Sequence, residues 1–295
     1  MKGLDFSIFG VIQCITDNPI AVRMATHDVI REFATDGVRY LEIRSTPRAV
    51  EDRMSKIEYC ECVLQEIVDA HKDASLDITV KFMLSLDRRK IQDFDEILEL
   101  HRLLNEKHPD LIAGLDISGD PRVNDITVLL PKLMELRKTD VKIAVHLAEV
   151  LNETETLEML RFKPDRIGHG TFIHPETGGN ESLLDELVAS CSPVEVCLTS
   201  NVLGETRPSY DVHQARYLHD AGISVIISTD DKGVFSCTLS GEYHLVMKHF
   251  KWTRERLYEI SFHSIDYCFA SNKTKIKLKN AWREWKQKNL SLLQI

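Results

Sequence analysis

The sequence has no apolar run near the ~20 residues that a bilayer-spanning helix requires, and its opening MKGLDFSIFGVIQC shows no signal-peptide cleavage pattern. Neither a membrane protein nor a secreted one is expected. It also lacks positive charge in excess: 46 acidic residues stand against 37 basic ones, a net charge of −9. A binder of duplex nucleic acid needs a basic face, so that class is excluded, whereas a small anionic substrate held by one or two local arginines is not. No C-x-x-C occurs among the 7 cysteines, which are odd in number and scattered; the close pair Cys60 and Cys62 falls in a helix-like stretch. Reduced thiols and a cytoplasmic setting follow. With 43% hydrophobic and 28% charged residues, the composition excludes collagen-like, disordered and disulfide-scaffold chains. A chain of 295 residues can bury a large core, as one α/β barrel or as two small domains.

No Pro/Gly/Ser-rich linker, low-complexity tract or charge block divides the sequence. Short β-branched runs alternate with longer stretches of helical apolar spacing. The runs are Val38–Arg44, Ile78–Leu86, Leu111–Ile117, Val141–His146, Arg166–His169, Val194–Leu198 and Ser224–Ser228. Helices are predicted over Asn18–Thr35, Lys56–Lys72, Gln92–Lys107, Asn124–Lys138, Ser182–Cys191 and Tyr210–Ala221. Helical material is also predicted over Phe6–Thr16 and from about residue 240 to the end. The basic tail Lys273–Lys288 reads as a solvated amphipathic helix packing on the body. Strand–helix alternation implies a parallel sheet covered by helices.

Each run is followed by a polar cluster: STPR (Ser45–Arg48), DRR (Asp87–Arg89), SGD (Ser118–Asp120), HLAE (His146–Glu149), GHG (Gly168–Gly170), TSN (Thr199–Asn201) and TDD (Thr229–Asp231). Parallel strands deliver all of these to one end of the sheet, where (β/α)8 barrels build active sites. A doubly wound open sheet uses only the loops at its switch point. The predicted fold is therefore α/β, a TIM-type (β/α)8 barrel of the metal-dependent hydrolase kind, in a single domain over residues 1–295. Seven runs are one short of a closed barrel. The expectation is that the first strand is missing, its place lying upstream of Met1, since an unclosed barrel leaves strand edges unpaired.

His146 and Glu149 can face a common point if the chain turns after the strand, although an isolated H-x-x-E is also compatible with a structural pair. His169 lies between two glycines, whose missing Cβ atoms allow a ligand close to the ring; a buried, hydrogen-bonded histidine is the alternative. Asp230 and Asp231 end another strand. Two adjacent carboxylates repel each other and resist desolvation, so they call for a cation, for solvent, or for service as a helix N-cap. Taken together with two strand-end histidines, a metal is the stronger reading, and imidazole with carboxylate suits Zn²⁺.

The set GLDISGD (Gly114–Asp120), HLAE, RIGHG (Arg166–Gly170), TSN and STDDKGVF (Ser228–Phe235) resembles the adenosine/AMP deaminase family, in order, from about Ala25 to Ser271. Two features resemble the subgroup acting on N6-methyl-AMP and related N6-substituted nucleotides. These are STPR after the first run and Lys232 after the Asp pair, where the family's adenosine deaminases carry proline. The resemblance implies zinc-dependent hydrolytic deamination, N6-methyl-AMP giving IMP and an amine, with one Zn²⁺ per subunit. His146 and Asp230 would be zinc ligands. Glu149 would protonate N1 of the purine, and His169 would orient the attacking hydroxide and help move its proton. Asp231 would bond N7 and the Gly119 N–H would meet N3. A 5′-phosphate would fall to Arg48, with Ser45 and Thr46 adding hydroxyls, unless Arg48 merely ties down a loop. Asp87 would line the pocket, and Arg88 and Arg89 would lie on the surface. The expected partner is a small purine nucleotide, the protein being a monomer that binds neither nucleic acid nor membrane.

One departure is plain. Family members end their first barrel strand in H-x-H, supplying two more zinc ligands, and none of the 12 histidines here lies two residues from another. A catalytic zinc site normally has at least three protein ligands. The chain thus reads as an N-terminally truncated form of a working deaminase or as an isoform without metal and activity; the intact remainder of the set favours truncation. Adenosine, adenine or AMP as substrate, a non-catalytic purine-binding barrel, and a barrel hydrolase of amides or lactones are the competing readings. Many of the last kind use a lysine or extra histidine to hold a second metal, and no strand-end lysine is placed to serve.

Overall fold

The computed structural model describes residues 7–293. Phe6, the predicted start of the first helix, lies outside the described residues. Seven strands form one sheet in chain order: β1 Tyr40–Ser45, β2 Thr79–Asp87, β3 Ile112–Ser118, β4 Ile143–Leu147, β5 Arg166–His169, β6 Val194–Val196 and β7 Val225–Ile227. The chain parts into two compact units. The first holds residues 7–124 and Asp140–Ile143; the second holds Asp125–Thr139 and 144–293.

In the first unit, β1 and β2 pair in parallel, Tyr40 opposite Thr79, and β2 and β3 likewise with a register shift at Phe82/Met83. The helices begin where side chains can satisfy the free N–H groups of a first turn. Asn18 accepts from the Ala21 N–H just before Pro19–Thr35, and Ser55 and Glu58 form a reciprocal capping box opening Lys56–Lys72. Apolar residues at helical spacing then give each helix one buried face: Val22, Ile30 and Phe33 on one, Val63, Leu64 and Ile67 on the other. Gly114 in β3 has a steric cause. A Cβ there would sit 2.4 Å from the Lys142 carbonyl, and the next N–H, of Leu115, donates to that same oxygen at 2.8 Å.

In the second unit, β4–β5, β5–β6 and β6–β7 pair in parallel. These strands are short and largely buried on both faces, as parallel strands are. Their connections carry the helices Glu153–Phe162, Glu181–Ser190 and Gln214–Asp220, the first two capped by Asn152 and Asn180. The C-terminal helices Leu239–Phe250, Arg254–Tyr267 and Asn272–Lys288 follow. A buried ion pair ties this unit's interior together. Arg166 Nε lies 2.6 Å from Glu195 Oε1, and the guanidinium stacks 3.7 Å over Phe269.

Three sequence expectations change. The run Val194–Leu198 is strand only to Val196, and Thr199–Asn201 lies inside a helix, Leu198–Leu203, rather than in a loop. The helix predicted over Asn124–Lys138 is a 3-10 turn Ile126–Leu129 running into Leu130–Leu136, because Pro131 can open a helix but cannot continue one. Arg88 is not a surface residue. It is 3% exposed, and its guanidinium donates to the Val123 and Asn124 carbonyls, fastening the loop after β3.

Candidate active site

His146 lies in β4 with Gly168 directly opposite in β5. A Cβ on Gly168 would come within 2.7 Å of the His146 ring, so this glycine makes room for the neighbouring imidazole rather than for a ligand at His169. After Leu147 the backbone turns through a left-handed Ala148 (φ 55°), which brings Glu149 back toward the strand end. Glu149 Oε1 is 3.8 Å from His146 Nδ1, and its Oε2 is 3.5 Å from His169 Nε2. Asp230 Oδ2 lies 3.9 Å from the same His169 nitrogen and accepts from Ser200 Oγ at 2.6 Å. The two rings meet edge to face, centroids 4.9 Å apart.

His169 and Asp230 both have left-handed backbone, φ 61° and 56°. For non-glycine residues this conformation is uncommon and costs about 1–2 kcal/mol, so the surrounding structure must impose it. Four residues singled out from sequence, His146, Glu149, His169 and Asp230, are thereby gathered at three strand ends of the second unit. Asp231 is half-buried and stands at the N-cap position of the short helix Lys232–Phe235, its side chain making no capping bond.

The donors fit a zinc ion in kind. The ligand atoms of His146, Glu149 and His169 lie within 4.8 Å of one another, as do those of His169, Cys197 and Asp230. Imidazole, carboxylate and thiolate are all zinc ligands. In number the set falls short of the family pattern, since the H-x-H pair is absent from the sequence.

Sequence reasoning missed several members of this site. Ser200 was noticed only as part of the TSN motif, without a role, and Cys197 gave no signal beyond its proximity to a strand end. Glu242, fully buried on Leu239–Phe250, accepts from the Thr199 N–H at 3.1 Å and from its hydroxyl; burial raises its pKa above the usual carboxylate value. Burial, reinforced by Glu242 and Asp230, pushes the Cys237 thiol up to about 11. The imidazole of His213, wholly buried, is lowered to about 3, first by burial and then by Arg207 and His169.

The remaining sequence-predicted residues belong to the first unit, and Ser45, Arg48 and Asp87 each have a local partner there. Ser45 Oγ meets the Tyr59 hydroxyl at 2.6 Å, and Thr46 beside it is half-buried. Arg48 donates from Nη2 to the carbonyl and hydroxyl of Thr16 and sits 5.1 Å over the Tyr59 ring, its buried Nε without a hydrogen-bond partner. Asp87 is gripped by Arg89, whose Nε lies 2.9 Å from Oδ2. Gly119 (φ 105°) leaves space that a Cβ would deny, 2.5 Å from Asp87 Oδ1.

The adenosine deaminase family pattern matches residues 6–285. The chain belongs to the adenosine deaminase family. It is 41% identical over 288 residues to the N6-methyl-AMP deaminase of Danio rerio, covering 97% of this chain and 82% of that one. The human N6-methyl-AMP deaminase is 40% identical over 293 residues, covering 97% and 81%. Among solved structures, Arabidopsis ADAL complexed with IMP superposes with a TM-score of 0.88 at 31% identity, covering 96% of this chain and 83% of that one. These likenesses place this family member in the TIM-type α/β fold class, with seven strands among the described residues where a full barrel has eight.

Proposed function

We propose that this chain is a purine nucleotide aminohydrolase that converts N6-methyl-AMP to IMP and methylamine with the help of zinc. The observation that carries the reading is the convergence of His146, Glu149, His169 and Asp230 at the ends of β4, β5 and β7, in a chain about 40% identical to N6-methyl-AMP deaminases. IMP, the product expected here, is the ligand in the Arabidopsis structure.

His146 and Asp230 would hold the ion, and Ser200 would fix the second Asp230 oxygen through its 2.6 Å hydrogen bond. When bound, zinc lowers the pKa of water to about 7 and so makes hydroxide available at neutral pH. Glu149, in its protonated form, delivers a hydrogen to N1 as C6 is attacked. His169 orients the attacking oxygen, which its 3.5 Å approach to Glu149 allows. The family resemblance assigns Asp231 to the purine N7 and the Gly119 N–H to N3. By the same resemblance Ser45, Thr46, Arg48 and Asp87 are nucleotide contacts, Arg48 having the bidentate geometry for a 5′-phosphate once freed from Thr16.

The test is zinc analysis of the purified 295-residue chain with an assay on N6-methyl-AMP at low and at excess zinc. The expected outcome is sub-stoichiometric zinc as purified and turnover that rises with added metal. Stoichiometric tight zinc would overturn the ligand count. Nucleotide binding without turnover at any zinc level would favour a non-catalytic purine-binding protein.

A further inference from the structure

Behind His169, the second unit buries polar side chains that the steps above leave unused. Asn201 is 2% exposed, and His213 and Gln214 are fully buried; all lie within hydrogen-bond reach of one another or of His169. The direction of the bonds among them can be worked out from one unambiguous donor, although the buried Gln214 Oε1 has no hydrogen-bond partner among the described residues.

The Ala215 backbone N–H donates to His213 Nδ1 at 3.1 Å, so that nitrogen is an acceptor and carries no proton. His213 is therefore neutral, with its proton on Nε2, and Nε2 donates to Asn201 Oδ1 at 3.1 Å. Gln214 Nε2 donates to the same oxygen at 2.7 Å. Two donors on one side fix the Asn201 amide, turning its nitrogen the other way. Nδ2 then donates to Thr206 Oγ1 at 3.0 Å and faces His169 Nδ1 at 3.4 Å. An acceptor at Nδ1 leaves the His169 proton on Nε2, the atom that faces Glu149 and Asp230. Gln214 also donates to the His169 carbonyl at 3.2 Å, clamping the backbone at its left-handed φ of 61°.

We propose that Asn201, held by His213 and Gln214, is a positioning residue that fixes His169 as its Nε2–H tautomer. This deepens the deaminase reading and rests on it for the role of His169. That histidine then offers a hydrogen-bond donor to the attacking oxygen, not a vacant base. The proton leaving the attacking water accordingly passes to the Glu149 carboxylate, breaking the water O–H bond and forming a carboxyl O–H. The same carboxyl gives it up to N1 of the purine, where an N–H bond forms; restored to carboxylate, it takes the remaining hydroxyl proton as C6=O forms and passes it to the departing methylamine as the C6–N bond breaks, so the count of protons closes without His169 gaining one.

The experiment is two-bond ¹H–¹⁵N correlation of ¹⁵N-histidine-labelled full chain at mildly alkaline pH, with His169 assigned by its loss in His169→Gln. Wild type is expected to show His169 protonated on Nε2 alone. Asn201→Asp replaces the donor with an acceptor and is expected to move the proton to Nδ1, while kcat on N6-methyl-AMP falls about 10²-fold with KM little changed. Should that variant fail to fold, Asn201→Ala is expected to give both tautomers. A wild-type Nδ1–H form, or a His169 spectrum unaltered in the variants, would overturn the proposal. The spectrum is read without substrate or added metal. Failure of the relay therefore appears there, and failure of the deaminase reading appears in the assay.

Discussion

The two units use their polar residues in opposite ways. In the second, strand ends force groups together that elsewhere avoid each other: two carboxylates and two imidazoles with left-handed backbone at His169 and Asp230. In the first, the polar residues at the strand ends are already matched, Ser45 to Tyr59, Arg48 to Thr16 and Asp87 to Arg89. Left-handed backbone at non-glycine residues is the kind of strain that clusters at functional sites, which is why the proposed chemistry is placed there. At the matched pairs, any ligand would first have to displace an existing partner.

The largest expected effect breaks that contrast in the second unit. Glu149→Gln keeps the shape and removes the proton carrier. kcat on N6-methyl-AMP is expected to fall about 10²–10⁴-fold with little change in melting temperature. A loss of under tenfold would show that the carboxylate is structural after all.

The first unit's counterpart is a buried imidazole with no catalytic task. His101, on Phe94–Lys107, is 7% exposed, and burial lowers its pKa to about 4. Its folded pKa lies below the unfolded value of 6.5. As pH falls below 6.5, the unfolded chain therefore takes up a proton that the folded chain refuses until about pH 4, and stability drops across that window. The full cost approaches about 3 kcal/mol. Denaturant melts from pH 7 to 4 should show a flatter decline for His101→Leu than for wild type; parallel curves would count against this assignment.

Arg48→Ala sharpens the comparison by asking what the matched residues are for. If Arg48 exchanges Thr16 for phosphate, KM for the 5′-monophosphate should rise by about tenfold, equivalent to ~1.5 kcal/mol, while any turnover of the nucleoside stays level. Equal losses on both substrates would make Arg48 a loop anchor only. The smallest effect is expected from Gly168→Ala, whose methyl would press on the His146 ring. Overpacking of that kind costs about 1–3 kcal/mol. Calorimetry should show the lower melting temperature, and zinc titration a weaker affinity if the ring it displaces is the ligand proposed above.

Much of the fold was legible because parallel α/β architecture repeats its signals. The alternation of β-branched runs with helical spacing located all seven strands to within a few residues, and Lys56–Lys72 stands as predicted. The misses have physical causes. Val194–Leu198 reads as one apolar run, and nothing local tells Leu198 that Glu242, far along the chain, will cap a helix starting there. Arg88 looks like a solvated charge until a loop some 35 residues on offers two carbonyls to it. In the site, His146, Glu149, His169 and Asp230 were visible because each ends a strand. Asn201 was visible only as part of the TSN motif, without a role, and His213 and Gln214 were not visible, since a buried relay has no spacing that sequence can display.

By itself, then, the sequence determined the order of elements and the residues at the strand ends, because periodicity and residue type act locally, while the kind of chemistry came from the resemblance of its motifs to a family. Tertiary structure alone decided which side chains share a partner. Gly168 became the space for the His146 ring, Ser200 the anchor of Asp230, and His213 the origin of a chain of donors reaching His169. Those outcomes depend on register and on hydrogen-bond direction across distant strands and helices, and neither quantity exists until the chain has folded.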